Sequence, residues 1–330
     1  MNLPVSYSDL LNVSKHNFNE IALEIFRFQA IENKIYQTYL SHIGCDVNSI
    51  SNFMDIPCLP IDFFKSHTVT SGSWIHEPSN CFQSSATTGV ITSKHFYRDL
   101  KLYNLSFKTG FERLYGSIED WCVLALLPNY MENNQSSLIT MVNTLIQDSG
   151  HARSGFYLNQ NDALLDQIKQ NERTQTKTIL FGVSFALLDL LPHVQGSYNH
   201  LTIIETGGMK GRRKEITRAE LHQEIGKAFK GAAIHSEYGM TELFSQAYMT
   251  NNTSFETPPW MHIRLTQTDD PFQPVELGKN GLINVIDLAN IESCSFIATS
   301  DIGKMHKDGS FDVLGRYDLS EQRGCNLLVS

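Results

Sequence analysis

The 330-residue sequence lacks the patterns that mark many common sites. Its six cysteines, Cys45, Cys58, Cys81, Cys122, Cys294 and Cys325, include no CxxC pair, which argues against a zinc ribbon or a thioredoxin motif. The twelve histidines show neither HExxH nor paired spacing, so no metal site other than one for Mg²⁺ is expected. A Walker loop (GxxxxGK followed by Ser or Thr) and a GxSxG nucleophile elbow are both missing. Positive charge is scarce. Lys and Arg number 26 against 35 Asp and Glu, a net charge of −9, which argues against a general affinity for nucleic acid or anionic membrane and leaves room only for a local basic patch. The longest clear apolar run, 121–127, is too short to cross a bilayer. The opening MNLPVSYSDL has no basic start and no apolar run, so no secretory signal is expected and the chain reads as cytoplasmic with reduced thiols.

What is present reads as a folded α/β chain: 41% hydrophobic and 18% charged residues, with no internal repeat or low-complexity tract. Three segments follow from the patterning. Residues 1–80 form an N-terminal helical segment, with Ile21, Ile25, Phe28, Ile31, Ile35 and Tyr39 at helical spacing. Residues 81–254 alternate short apolar runs (121–127, 177–183, 201–205, 232–235) with amphipathic stretches (137–148, from a cap at Asn161, 185–191, and from the T-x-x-E box at Thr217 and Glu220). That rhythm predicts mostly parallel sheet covered by helices. Residues 255–330 form a smaller, mostly antiparallel β-rich region and a tail, with strands at 261–265, 282–287, 294–298 and 311–314.

Five strings carry chemistry. SSATTG brings Ser84, Ser85, Thr87, Thr88 and Gly89 together, with Lys94 after it. It suits a phosphate cradle of hydroxyls, backbone N–H groups and an ammonium, or an ordinary surface turn. Thr206-Gly207-Gly208-Met209-Lys210-Gly211 follows a strand, where glycines let a ligand approach the backbone, or where a basic loop simply turns. HSEYGMTE, holding Tyr238, Gly239, Thr241 and Glu242, also follows a strand. Tyr can stack on a base, Thr can bond a phosphate and Glu can hold Mg²⁺; the plainer alternative is a strand end turning into a helix at Thr241. Thr299-Ser300-Asp301 and Gly315-Arg316-Tyr317-Asp318 add a carboxylate for a ribose diol and a guanidinium.

In their order, SSATTG, TGGMK, YGMTE, TSD and GRYD resemble the motifs of the adenylate-forming superfamily of acyl-CoA synthetases, luciferases and peptide-synthetase adenylation domains, from about Cys81 to the end. YGMTE and GRYD are the specific parts. LLPNYMENNQSSL, HSEYGMTEL, DLANIESCSFIATSDIG and LGRYDLSEQRGCNLL further resemble the acyl-protein synthetases of the bacterial luminescence fatty-acid reductase complex. The departures are Ala86 and Ser300 where the superfamily has Gly, and the want of the small, mobile C-terminal domain with its catalytic Lys.

The resemblance implies the large N-terminal region of the adenylate-forming fold. It also implies activation of a carboxylic (fatty) acid by ATP and Mg²⁺, followed by acyl transfer to a thiol. Ser84, Ser85, Thr87, Thr88 and Gly89 would wrap the β/γ-phosphates, with charge from Lys94 and Lys210. Gly207 and Gly208 would flank adenine, and Tyr238, followed by Gly239, would stack on it. Thr241 would bond the α-phosphate, Glu242 would coordinate Mg²⁺, Asp301 would hold the ribose and Arg316 the ribose or phosphate. Tyr130 would stand beside the acyl pocket. Cys325, near the C-terminus, would carry the acyl group to a reductase, an acyl carrier or coenzyme A. An acyl- or aryl-CoA ligase completed by a separate C-terminal subunit, and a non-catalytic nucleotide-binding scaffold, remain the alternatives.

Overall fold

The computed structural model describes residues 3–72, 74, 80–84, 91–127, 135–158, 160–207, 216–251 and 253–317. Along the chain, the N-terminal part holds helices α1 (Tyr7–Leu11), α2 (Phe18–Glu32) and α3 (Lys34–His42), strand β1 (Leu59–Pro60) and helix α4 (Phe63–Ser66). Strands β2 (Cys81–Gln83) and β3 (Lys94–Phe96) precede α5 (Lys101–Tyr115). Alternation then sets in: β4 (Cys122–Leu126), α6 (Ser137–Ser149), β5 (Gly155–Phe156), α7 (Asn161–Arg173), β6 (Thr178–Val183), α8 (Ser184–Leu190), β7 (Leu201–Thr206), α9 (Arg218–Ala228) and β8 (Ala233–Tyr238). Strands β9 (Ala247–Met249), β10 (Met261–Thr266), β11 (Asn280–Asp287), β12 (Phe296–Met305) and β13 (Phe311–Arg316) complete the order. The chain divides into two compact units: Met1–Asn80 with Ser93–Arg98 and Ser254–Ser330, and Cys81–Thr92 with Asp99–Thr253.

The second unit is built on a six-stranded sheet of order β5-β4-β6-β7-β8-β9. Its first five strands are parallel and β9 runs antiparallel to β8. Every residue of β4, β6 and β7 is buried, as expected of strands covered on both faces. Ser136 caps α6 by accepting from the Ile139 N–H, and Thr217 with Glu220 closes the capping box of α9. Asn161 is not a cap; it is the first residue of α7, and Gln160 stands before it without a side-chain cap bond. No helix follows β8 at Thr241, where the chain turns instead, with the Leu243 N–H donating to the Met240 carbonyl on the way to β9. Phe82, Tyr103, Phe107 and Phe244 form an aromatic core cluster, with centroids 4.8 Å apart for Phe82–Tyr103 and 5.3 Å for Tyr103–Phe244.

In the first unit, β10, β11, β12 and β13 form an antiparallel meander, and β1 joins its β12 side in parallel. The long N-terminal amphipathic run is two helices. Asn33 takes an extended conformation, ends α2, and caps α3 by accepting from the Tyr36 N–H. The buried face of α2 is Phe18, Ala22, Leu23, Ile25, Phe26, Gln29 and Ala30, whereas Ile31 is 67% exposed. A polar Gln29 on that face is explained by its partners. Its amide donates to the Asn290 and Ile291 carbonyls and its oxygen accepts from the Ser295 N–H. Among the described residues no helix is long and apolar enough to cross a membrane.

Candidate active site

Parallel strands deliver ligand-binding loops at their carboxyl ends, and the ends of β7 and β8 are where two of the strings fall. The register sets Glu205 opposite Ser236 and Thr206 opposite Glu237. Each pair exchanges a hydroxyl for a carboxylate. Ser236 Oγ donates to Glu205 Oε1 at 2.6 Å, and Thr206 Oγ1 donates to Glu237 Oε2 at 2.6 Å. Because side chains alternate along a strand, the two pairs lie on opposite faces of the sheet.

On the first face Glu205, 2% exposed, also accepts from Ser184 Oγ of α8 at 3.1 Å and Arg218 Nε of α9 at 3.3 Å. His222 Nε2 lies 2.8 Å from Ser236 Oγ and 3.9 Å from Glu205 Oε1. Burial pushes the Glu205 carboxyl up, but the His222 ring, Arg218 and Ser236 outweigh it and hold it below the ordinary glutamate value. The set contains Ser, His and an acid in the wrong order for nucleophilic catalysis. Ser236 gives its proton to the carboxylate and not to the imidazole, and it is fully buried. It is a structural brace on the two strand ends.

The second face is poorer in partners. Burial raises the Glu237 carboxyl to about 7, and the Thr206 hydrogen bond only partly offsets this. Burial also raises the phenols of Tyr115 (α5) and Tyr248 (β9), with the Glu237 charge adding to the effect. The Tyr248 hydroxyl is buried with no hydrogen-bond partner among the described residues, while that of Tyr115 lies 3.1 Å from His235 Nδ1.

Tyr238, the last residue of β8, and Glu242 beyond it are buried, and Gly239, Met240 and Thr241 between them are half-buried. The Glu237 carboxyl closely approaches Gly239. A Cβ there would lie 2.3 Å from Glu237 Oε1 and 3.3 Å from Gln246 Cγ. At Gly207, past β7, a Cβ would meet none of the described residues within 4 Å. In the other unit, Asp301 of β12 and Arg316 of β13 are cross-strand partners, with Arg316 Nε 3.8 Å from Asp301 Oδ1. The guanidinium is 77% exposed and the carboxylate 19%. The Asp301 N–H donates to Thr299 Oγ1, which itself donates to the Ile283 carbonyl, so the carboxylate stands on an ordered base.

Of the residues singled out from the sequence, Ser84, Gly207, Tyr238, Gly239, Thr241 and Glu242 belong to one unit, and Lys94, Asp301 and Arg316 to the other. Gly207 follows β7 and Tyr238 ends the neighbouring β8, ahead of Gly239, Thr241 and Glu242; Asp301 lies across from Arg316, Lys94 stands exposed at the start of β3 and Ser84 is half-buried after β2. Ser85, Thr87, Thr88, Gly89, Gly208, Lys210, Cys325 and Tyr130 lie outside the described residues. Sequence reasoning passed over Glu205, His222, Arg218 and Glu237. Two signals were there to read: a strand that ends in an acid, and Arg218 and His222 four residues apart behind a capping box.

The architecture is the α/β fold of the N-terminal region of adenylate-forming ligases. A 2-hydroxyisobutyryl-CoA ligase in complex with 2-HIB-AMP and CoA superposes with a TM-score of 0.67 at 10% identity, over 97% of this chain and 75% of that one. Apo MatB from Rhodopseudomonas palustris gives 0.52 at 18% identity, over 72% and 47%. A long-chain-fatty-acid-CoA ligase (FadD1) from Archaeoglobus fulgidus gives 0.51 at 13%, over 75% and 53%. The chain thus matches about half the length of the latter two. No protein-family model matches the sequence, and the curated proteins contain no match.

Proposed function

We propose that this protein activates a carboxylic acid, of the fatty class, with MgATP, and passes the acyl group to a thiol. A carboxylate oxygen attacks the α-phosphorus, the bond to the β-phosphate breaks, and pyrophosphate leaves. A thiolate sulfur then attacks the acyl carbon, AMP leaves with the former carboxylate oxygen, and a thioester remains. The observation that carries this reading is the YGMTE string at the carboxyl end of β8, in a fold shared with a ligase that binds an acyl adenylate.

On this reading Tyr238 stacks on adenine beside Gly207, Gly208 and Gly239. Thr241 bonds the α-phosphate, and Asp301 and Arg316 take the ribose and phosphate. Ser84, Ser85, Thr87, Thr88, Gly89, Lys94 and Lys210 hold the outer phosphates. Glu242 would hold Mg²⁺, which when bound would supply positive charge against the phosphates. The chain's own part is to bind, orient and offset charge, which suffices for phosphoryl-group chemistry that depends on in-line positioning. Cys325 is the acyl acceptor, and a reductase, acyl carrier or coenzyme A takes the group onward.

A second reading makes coenzyme A the direct acceptor, because the fold is shared with enzymes named as CoA ligases. Incubation with labelled fatty acid and MgATP separates the two. The first expects a hydroxylamine-sensitive label on Cys325, with Cys325→Ser keeping pyrophosphate release and losing the label. Turnover that needs coenzyme A and survives Cys325→Ser supports the second. ATP binding with no pyrophosphate release over a panel of acids refutes both.

A further inference from the structure

The strand that carries Asp301 is irregular at that point. Leu282 of β11 pairs with Ile302 of β12, and Asn284 pairs with Ala298, so Thr299, Ser300 and Asp301 stand against Ile283 alone. The surplus on β12 makes a β-bulge, a device that bends a strand and re-aims its side chains. Glycine does not build it, since Ser300 at its centre takes no positive φ. Polar side chains hold it from both strands instead. Thr299, 6% exposed, donates its hydroxyl to the Ile283 carbonyl at 2.7 Å and accepts from the Asp301 N–H at 3.1 Å. Asn284, 1% exposed, donates its amide to the Leu282 carbonyl at 3.2 Å and to Thr266 Oγ1 of β10 at 2.8 Å. Burying a hydroxyl and an amide in a sheet costs free energy unless each finds partners, and here the partners lie at the bulge and on the strand beside it. On the other side of β12, the Ser300 carbonyl accepts from the Tyr317 N–H at 2.7 Å, and Asp301 pairs with Arg316 of β13. The Thr299 hydroxyl thus ties the bulge to β11 while the backbone ties it to β13, and the Asp301 carboxylate comes to stand 3.8 Å from Arg316 Nε.

Resting on the nucleotide reading given above, we infer that Thr299 is a positioning residue. Its hydroxyl fixes the bulge that presents Asp301, and so sets how strongly the protein prefers a nucleotide whose ribose carries both hydroxyls over one whose sugar carries neither. Thr299→Val nearly keeps the shape of the side chain but can neither donate to Ile283 nor accept from Asp301, which leaves a carbonyl and an N–H of the bulge without those partners. Thr299→Ser keeps both bonds and gives up only a methyl group.

Calorimetric titration of the full chain with MgATP and with its 2′,3′-dideoxy analogue tests this, at a temperature where every variant is folded. The affinity ratio of the two nucleotides is the readout, because a general loss of stability weakens both alike and leaves the ratio unchanged. The wild type should favour MgATP by about tenfold or more, as a charge-assisted hydrogen bond to the ribose implies, and Asp301→Ala should bring the ratio near one. Thr299→Val should cut the ratio by about fivefold or more, and Thr299→Ser should hold it within about twofold of wild type. Thr299→Ala removes the same two bonds without setting a methyl group against the Ile283 carbonyl, which keeps the test open if Thr299→Val does not fold. A wild-type ratio in the variants without the hydroxyl, or a fall in Thr299→Ser as large as that in Thr299→Val, overturns the positioning role and leaves the nucleotide reading standing. Wild type with no preference, or Asp301→Ala that keeps the preference, removes Asp301 from the ribose and this role with it. Wild type that binds neither nucleotide removes the nucleotide reading itself.

Discussion

Glu205→Gln replaces a buried carboxylate with an amide of the same shape, so little besides charge and hydrogen-bond polarity changes. In the native protein the carboxylate accepts from Ser236 at 2.6 Å, Ser184 at 3.1 Å and Arg218 at 3.3 Å. Glutamine keeps one oxygen, which Ser236 can still use, and turns an NH₂ toward another donor. Arg218 donates to the same oxygen as Ser236 and loses its opposite charge, while the Ser184 contact to the other oxygen is lost or reversed. Hydrogen bonds to a charged group contribute roughly 1.5–3 kcal/mol each. Arg218 is 28% exposed and can regain water, so the lower part of that range applies. A loss of about 2–3 kcal/mol at pH 7 is expected, below the cost of about 3–5 for stranding a fully buried partner. The pH dependence follows from the direction of the shift. Glu205 is held below 4.5, so its contribution is present in full above that value and is lost as pH falls through the lowered folded-state value. Urea melts of both proteins from pH 7 to pH 3 should show a stability gap that narrows on acidification. A Glu205→Gln protein as stable as wild type at pH 7, or a gap of constant size down to pH 3, would refute the brace.

Three further outcomes are expected. Asp301→Ala should weaken MgATP binding by tenfold or more, since a charge-assisted contact of roughly 1.5–3 kcal/mol goes; titration calorimetry reads it, and unchanged affinity in the folded variant removes Asp301 from the site. Glu242→Gln should slow pyrophosphate release at least tenfold, about 1.4 kcal/mol of barrier, and wild-type rates across a Mg²⁺ titration would make Glu242 structural. Gly182→Ala in β6 should destabilise by about 1–3 kcal/mol in denaturant melts, because the new Cβ would lie 2.5–2.6 Å from the buried Leu187 Cδ2 and Cγ; no loss of stability would mean that Leu187 repacks freely.

Several features were legible in the sequence because their causes are local. Apolar runs closed by turns marked β4, β6 and β7, and T-x-x-E marked the start of α9. The antiparallel run after Phe255 was legible from short strands separated by turn residues. The strings TGG, YGMTE, TSD and GRYD were legible as candidate chemistry from residue type and order alone. Other features depend on distant partners, and no local window contains them. Asn33 splits the N-terminal run and also donates its amide to the Ser293 carbonyl, 260 residues away. The two-residue strand β1 exists only because β12 supplies an edge. Thr241 begins a turn, since β9 returns to pair with β8. The chain segment Ser93–Arg98 belongs to the first unit although both its neighbours in sequence belong to the second. At the candidate site the same division holds: the residue types are written locally, but the brace at Glu205 and the raised carboxyl of Glu237 arise from register. Pairing β7 with β8 sets Glu205 against Ser236 and Thr206 against Glu237, 31 residues apart, and burial on opposite faces then gives two glutamates opposite protonation behaviour.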